Sequence, residues 1–286
     1  MKYTAEDFKN WMREDIPNPR VPYHRCYRPL IKRSNSLSFE SCYLRDDDYA
    51  IKPYSYTRAF LQLQKEMEEL FLYVAPADKN LKTYSYQIHE LLIRICVEIE
   101  ANFKAIFAEN HYSKQEKDYT IGDFWKINVS HRLSEYKVKM PTWEGKNKVF
   151  VPFSGWNTSI SLPWYRAYNR SKHNRDKFFT EANLMHLMNA FCGLYVVLTA
   201  QFECHDYLSG HEIIVVGGKD SYYDGEFGLG DMLQTIFPEW PEEEKYDMDW
   251  GLVCESPNRF RRFDYDAIAD YEKPNNNNPK CEDYRQ

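Results

Sequence analysis

One segment, residues 84–110, constrains the fold most strongly because its apolar residues recur at every third or fourth position. The sequence YSYQIHELLIRICVEIEANFKAIFAEN keeps this spacing over about seven helical turns, and its charged residues fall largely off the stripe. A helix with one apolar face is stable only when another surface covers that face. The segment therefore predicts a long helix within a helical bundle. The stripe consists of Ile88, Leu92, Ile95, Ile99, Phe103 and Ile106.

Three other segments predict helices that pack against the first. Residues 56–74 repeat the amphipathic spacing, and Pro163 suits the first turn of a helix that runs through a basic segment. Thr180 is a predicted N-cap for the long apolar run over residues 181–202. Together these segments predict a mainly α protein with a four-helix bundle over residues 53–204.

The rest of the chain is predicted to surround this bundle. Residues 1–52 form an irregular N-terminal extension, and residues 111–160 form an insertion that carries a β-hairpin around a Glu-Gly-Lys-Asn turn. Residues 205–272 form a mixed α/β C-terminal extension, whose apolar run HEIIVV indicates a strand. Residues 273–286 contain PNNNNPK and are predicted to be a disordered tail.

Composition excludes several classes of protein. The formal charge of −6 argues against a protein that coats nucleic acid nonspecifically, because such proteins carry a widespread basic surface. The seven cysteines are scattered without paired spacing, which favours a reducing compartment. The N-terminus lacks a signal-type apolar core, and no run approaches the roughly 18 apolar residues of a membrane span. We therefore expect a soluble cytoplasmic protein without a membrane partner.

A metal site is not expected from the cysteine and histidine pattern. The run Cys204-His205-Asp206 with His211 places its ligands too close together and lacks the paired spacing of zinc sites. We therefore predict neither a metal ion nor another cofactor.

The residues with the clearest chemical potential lie in SLPWYRAYNRSKHNRDKFF, residues 161–179. Within twelve positions this segment places six cationic or imidazole side chains and a single acid, Asp176. Helical spacing puts Arg166, Asn169 and His173 on one face, with Arg170 and Lys172 at its flanks. An imidazole exchanges protons near neutral pH, an amide orients a substrate, and cations neutralise a phosphate. The pattern predicts an anion site that also includes Arg175.

Structural roles compete with each of these interpretations. A basic helix face can be solvated and paired with some of the 43 acidic residues of the chain. Trp164, Tyr165 and Tyr168 could stack nucleobases, but aromatic residues at helical spacing belong more often to the core. His89 and Glu98 on the predicted bundle helix could support the site, although a structural pairing is the commoner role.

The segment WYRAYNRSKHNR, preceded by HELLIRICVEIEANFKAIF and followed by a long apolar helix, resembles the HEPN superfamily of helical-bundle proteins. Members of that family carry an arginine, a spacer of four to six residues and a histidine, and many are metal-independent ribonucleases that act as toxins or antiviral effectors. Here six residues separate Arg166 from His173. The resemblance implies that His173 transfers protons, that Arg166 stabilises the phosphate, and that two copies form a homodimer around one RNA cleft.

Two function classes follow from these observations. The first is an endoribonuclease that cleaves RNA by attack of the 2'-hydroxyl, with Asn169 as a third catalytic residue and Arg170, Lys172 and Arg175 as substrate contacts. The second is a non-catalytic module that binds RNA, a nucleotide or a protein partner such as an antitoxin, or that serves as an assembly subunit. Ala167 favours the second class, because the family usually has a polar residue directly after the arginine.

Overall fold

The structure is a computed structural model that describes residues 21–31, 41–205, 207, 226–227 and 229–271. The described chain is mainly helical and carries a small antiparallel sheet, which confirms the predicted mainly α class. The helices are α1 Pro53–Phe71, α2 Tyr86–Glu109, α3 Ile121–His131, α4 Pro163–His173, α5 Arg175–Phe178, α6 Leu184–Phe202 and α7 Trp250–Val253. The strands are β1 Lys137–Lys139, β2 Val149–Phe150, β3 Glu226–Phe227 and β4 Gln234–Ile236.

The α6 helix is the centre of the core. It packs against α1, α2 and α4, and almost all of its residues are buried. Within the described chain, α6 alone is long and apolar enough to cross a membrane, but 83% of the relevant stretch is buried inside the protein. Such burial is typical of a core helix in a water-soluble protein.

The α2 helix follows the sequence prediction closely. Ser85 caps it by accepting a hydrogen bond from the Ile88 amide at 3.1 Å, as expected of a serine at the N-cap. All six residues of the predicted stripe are buried, so this face packs against α1, α4 and α6. Burial of six large apolar side chains makes α2 one of the main sources of stability.

The predicted start of α6 is wrong. Residues 179–181 form a separate 3-10 turn, and Asn183 rather than Thr180 caps α6 by accepting from the His186 amide at 3.2 Å. Long-range pairing fixes this position: the Leu184 amide donates to the Thr83 carbonyl at 2.8 Å. The cap is therefore selected by a loop that precedes α2.

The predicted hairpin is present, with β1 antiparallel to β2. Its turn contains Gly145 at φ +125°, where a Cβ atom would lie 2.4 Å from the Asp78 side chain. Residues from the C-terminal extension complete the sheet, whose strand order is β2-β1-β4-β3. The insertion also contains α3, which the sequence patterns did not indicate.

Both extensions pack into the same hydrophobic core as the helices. Tyr43 and Tyr49 from the N-terminal side and Tyr246 and Tyr265 from the C-terminal side are fully buried. In residues 21–31 and 41–52 the backbone forms a 3-10 turn, Cys42–Arg45, and isolated bridges. The strand predicted at 211–220 and the tail predicted at 273–286 lie outside the described residues.

A buried ion pair attaches the N-terminal extension. Arg25 is fully buried and pairs with Glu109 at the end of α2. Its guanidinium also donates to the Gln201 side chain at 3.0 Å and to the Ile51 carbonyl at 2.7 Å. These partners supply the counter-charge and the hydrogen-bond acceptors without which a buried guanidinium would strongly destabilise the fold.

Candidate functional site

The basic segment ends in a sharp corner between α4 and α5. The α4 helix begins at Pro163, as predicted, and ends at His173. Asn174 then caps α5 by accepting from the Lys177 amide at 3.2 Å, and Arg175 is the first residue of α5. The C-terminal end of a helix favours cationic side chains because its carbonyl groups carry partial negative charge. The corner therefore gathers Lys172, His173 and Arg175 at one place.

A pocket of about 370 Å³ lies at this corner. It brings His173 from the end of α4 together with His89 from α2, a helix that lies far away in the sequence. Lys172 and Arg175 provide two cations, and Asp176 provides one acid. The charged groups leave the pocket with an excess of positive charge even when both imidazoles are neutral. The remaining lining residues are Ser171 and Asn174.

Lys172 is held in a defined position by Tyr168. Its Nζ donates to the Tyr168 hydroxyl at 2.9 Å and lies 4.9 Å from the centre of that ring. The hydrogen bond raises the pKa of Lys172, so its ammonium group remains charged at neutral pH. Burial raises the pKa of the Tyr168 hydroxyl, which keeps its proton. Lys172 is therefore a fixed cation at the pocket.

His89 differs from an ordinary packing histidine in one respect. Its ring packs edge-on to Phe179, with the ring centres 5.8 Å apart. Its Nε2 is buried and makes no hydrogen bond within the described chain. Buried polar atoms without a partner are uncommon, and a catalytic role is one of the recognised reasons for them. The sequence offers His89 as a possible support for the site, but helical spacing alone could not place it beside His173, because that depends on packing between α2 and α4.

Arg166 and Asn169 lie on the same face of α4 as His173, but they do not line this pocket. Arg166 is exposed and lies two turns before His173, about 10 Å along the helix axis. Asn169 is partly buried one turn after Tyr165, whose hydroxyl donates to Glu100 at 2.8 Å. Within one chain, the predicted catalytic face is thus divided into two parts.

Arg170 has structural partners. Its guanidinium pairs with Glu181 at 3.0 Å and lies 3.9 Å from the centre of the Phe178 ring. These contacts tie α4 to the turn that leads into α6. Of the three predicted substrate contacts, Lys172 and Arg175 line the pocket. Arg170 instead stabilises the connection between α4 and the turn before α6.

The aromatic residues of α4 belong largely to the core. Trp164 and Tyr168 are buried, and the Trp164 indole donates to the Pro152 carbonyl at 2.8 Å. Tyr165 is partly buried and packs against the same core. These residues are not placed to stack on a nucleobase.

One group of possible metal ligands occurs in the described part of the chain, at a place that the sequence patterns did not indicate. It consists of His111, Asp264 and Asp266, all exposed. His111 Nε2 lies 3.4 Å from the Asp266 carboxylate, which also accepts from the Ser113 amide at 3.0 Å. His111 and Asp266 are thus already engaged in contacts within the protein, and these contacts account for their positions without a metal ion. Of the run Cys204-His205-Asp206 with His211, from which no zinc site is expected, Asp206 and His211 lie outside the described residues.

Comparison with known proteins gives no further assignment: no family model, curated protein or solved structure matches the chain. The resemblance to the HEPN superfamily therefore rests on the motif and on its position before the long helix α6.

Proposed function

We propose that this protein is a HEPN-like, metal-independent endoribonuclease whose chemistry centres on His173. The observation that carries the proposal is the pocket itself, because two imidazoles and two cations converge there. The packing of α1, α2, α4 and α6 against one another supports it as well, since the motif then lies on α4, a helix that contacts the central core helix α6. A role as a toxin or antiviral-defence effector belongs to the same proposal.

The residues of the pocket suit cleavage by the ribose 2'-hydroxyl. His173 takes the proton of that hydroxyl as its oxygen attacks the adjacent phosphorus. The bond between phosphorus and the 5'-oxygen breaks, and His89, which must carry a proton when cleavage begins, gives that proton to the departing oxygen; His173 is left protonated and His89 neutral. Lys172 and Arg175 stabilise the negative charge that grows on the phosphate oxygens. The products are a 2',3'-cyclic phosphate and a 5'-hydroxyl, so atoms and charge balance without a cofactor.

The proposed homodimer gives Arg166 and Asn169 a role. Both lie outside the pocket of their own chain, on the same face of α4 as His173. A two-fold axis beside this face would place the arginine of a second copy near the phosphate. The dimer would also double the positive charge around the RNA in an otherwise acidic protein.

An RNase assay in EDTA tests the proposal. We expect the wild type to cleave RNA and His173→Ala to reduce the rate at least about 100-fold, as loss of a proton-transfer group does. His89→Gln is expected to reduce the rate as well, because the leaving oxygen then lacks its acid. His111→Ala is the matched control, since His111 is an exposed histidine outside the pocket. Full activity of His173→Ala, or loss of activity in EDTA, would refute the proposal.

A binding module without catalysis is the second candidate function. Asp176 in the pocket and the position of Arg166 outside it favour this alternative, because both weaken a phosphate-cleaving site. It predicts that the wild type binds RNA without cleaving it and that Lys172→Glu weakens binding. The same assay separates the two functions.

A further inference from the structure

An exposed aromatic surface borders the pocket, and α2 rather than α4 provides its main residue. Tyr86, the first residue of α2, is 69% exposed. Its ring contacts Phe179, with the ring centres 4.9 Å apart. The Arg175 guanidinium lies 5.5 Å from the centre of the Tyr86 ring, and Arg175 also lines the pocket of His173. One arginine therefore links an exposed ring to the cationic pocket.

The position of Tyr86 is fixed by its surroundings. Tyr86 precedes His89 by three residues, so both side chains lie on neighbouring positions of one helix face. The backbone before Tyr86 pairs with the start of α6 through a bridge between Tyr84 and Asn183. Phe179 contacts Tyr84, Tyr86 and His89 and so joins the aromatic surface to the pocket. A ring held in this way loses little conformational entropy when a ligand binds.

We propose that Tyr86 stacks on an unpaired nucleobase of single-stranded RNA, while Lys172 and Arg175 hold a neighbouring phosphate. Exposed aromatic rings beside cationic side chains are the usual means by which proteins bind single strands, because every base has a face on which a ring can stack. In a duplex the faces of the bases are covered by their neighbours, so the same surface selects against paired RNA. The inference rests on the proposed function and adds the substrate class.

Binding to a non-cleavable probe tests this inference separately from catalysis. The probe is a fluorescein-labelled 2'-O-methyl oligouridine, which lacks the attacking hydroxyl, and its affinity is measured by anisotropy at fixed ionic strength. We expect Tyr86→Ala to weaken binding by at least about fivefold, the lower limit for removal of one stacked base. Tyr86→Phe keeps the ring and is expected to bind within about twofold of the wild type. Tyr73→Ala is the matched control, because Tyr73 is 82% exposed at the end of α1.

The outcomes separate the inference from the nuclease proposal. Selective loss of single-strand binding in Tyr86→Ala, with a thermal midpoint like that of the wild type, supports the inference even if the protein cleaves no RNA. If Tyr86→Ala binds the probe as tightly as the wild type, the stacking inference is wrong, whereas the nuclease proposal is unaffected because a separate assay tests it. The stacking inference is also overturned if the wild type binds a matched duplex as tightly as the single strand, or if it binds only a protein and no RNA.

Discussion

Acidification perturbs one well-defined buried group, His131, at the end of α3. His131 is fully buried, and its Nε2 lies 2.8 Å from the Arg25 carbonyl. Because a carbonyl can only accept, Nε2 carries the proton and Nδ1 accepts from the Ser130 hydroxyl at 2.7 Å. Burial lowers the pKa of His131 from 6.5 to about 4, and the nearby Arg28 guanidinium acts in the same direction. The folded chain therefore favours the neutral imidazole over the protonated one.

The sign and size of the effect follow from linkage. Between pH 6.5 and 4 the unfolded chain binds a proton at this histidine that the folded chain does not, so stability falls as the pH falls. The difference in pKa corresponds to a total loss of about 3 kcal/mol, of which about 2 kcal/mol is lost by pH 5. Most carboxylates titrate below this range, so the loss between pH 7 and 5 reports mainly on histidine.

Urea unfolding at pH 7 and at pH 5 measures the effect. We expect the free energy of unfolding of the wild type to fall by about 2 kcal/mol between these values. His131→Gln is expected to be less stable at pH 7 but to lose much less on acidification, because glutamine does not titrate. His173→Gln is the matched control, since His173 is exposed, and it should keep the pH dependence of the wild type. Equal losses in the wild type and His131→Gln would refute the role given to His131.

Two further predictions concern stability. Glu109→Gln leaves the buried Arg25 guanidinium without its counter-charge and should lower the free energy of unfolding in urea by about 3 to 5 kcal/mol. Glu66→Gln is the control, because Glu66 pairs with Arg94 at a more exposed place, and it should cost about 1 kcal/mol or less. Asn183→Ala removes the cap of α6 and should lower the unfolding free energy by about 1 kcal/mol, while Thr180→Ala should change it by less than about 0.5 kcal/mol. Equal effects of Glu109→Gln and Glu66→Gln, or a larger effect of Thr180→Ala than of Asn183→Ala, would contradict these assignments.

The sequence predicts the long helices well because their apolar spacing is a local property that persists over many turns. It predicts their ends less well, because Asn183 is selected as a cap by pairing with residues that precede α2. The α3 helix has no clear periodic pattern in the sequence, because Gly122, Asn128 and Val129 weaken its helical propensity. A signal for it exists in the capping box of Thr120 and Asp123, which marks its first turn.

In the candidate site, too, the sequence predicts which neighbouring residues lie together but not which distant residues pack beside them. Lys172, His173 and Arg175 are neighbours in sequence, so a local pattern was enough to place them at one helix end. His89 and Tyr86 reach the same corner only because α2 packs beside α4, and no spacing rule connects residues so far apart. Arg166 lies outside the pocket because it precedes His173 by two helical turns, about 10 Å along the axis of α4.

The chemical ends of the RNA products distinguish attack by the 2'-hydroxyl from other routes of RNA cleavage. A labelled single-stranded RNA is incubated in EDTA with the wild type and with His173→Ala, and the new ends are identified by their sensitivity to phosphatase and by mass. Cleavage by the 2'-hydroxyl with His173 as the base predicts 2',3'-cyclic phosphate and 5'-hydroxyl ends from the wild type and neither product from His173→Ala. New 3'-hydroxyl and 5'-phosphate ends, or the same cyclic phosphate from His173→Ala, would contradict it.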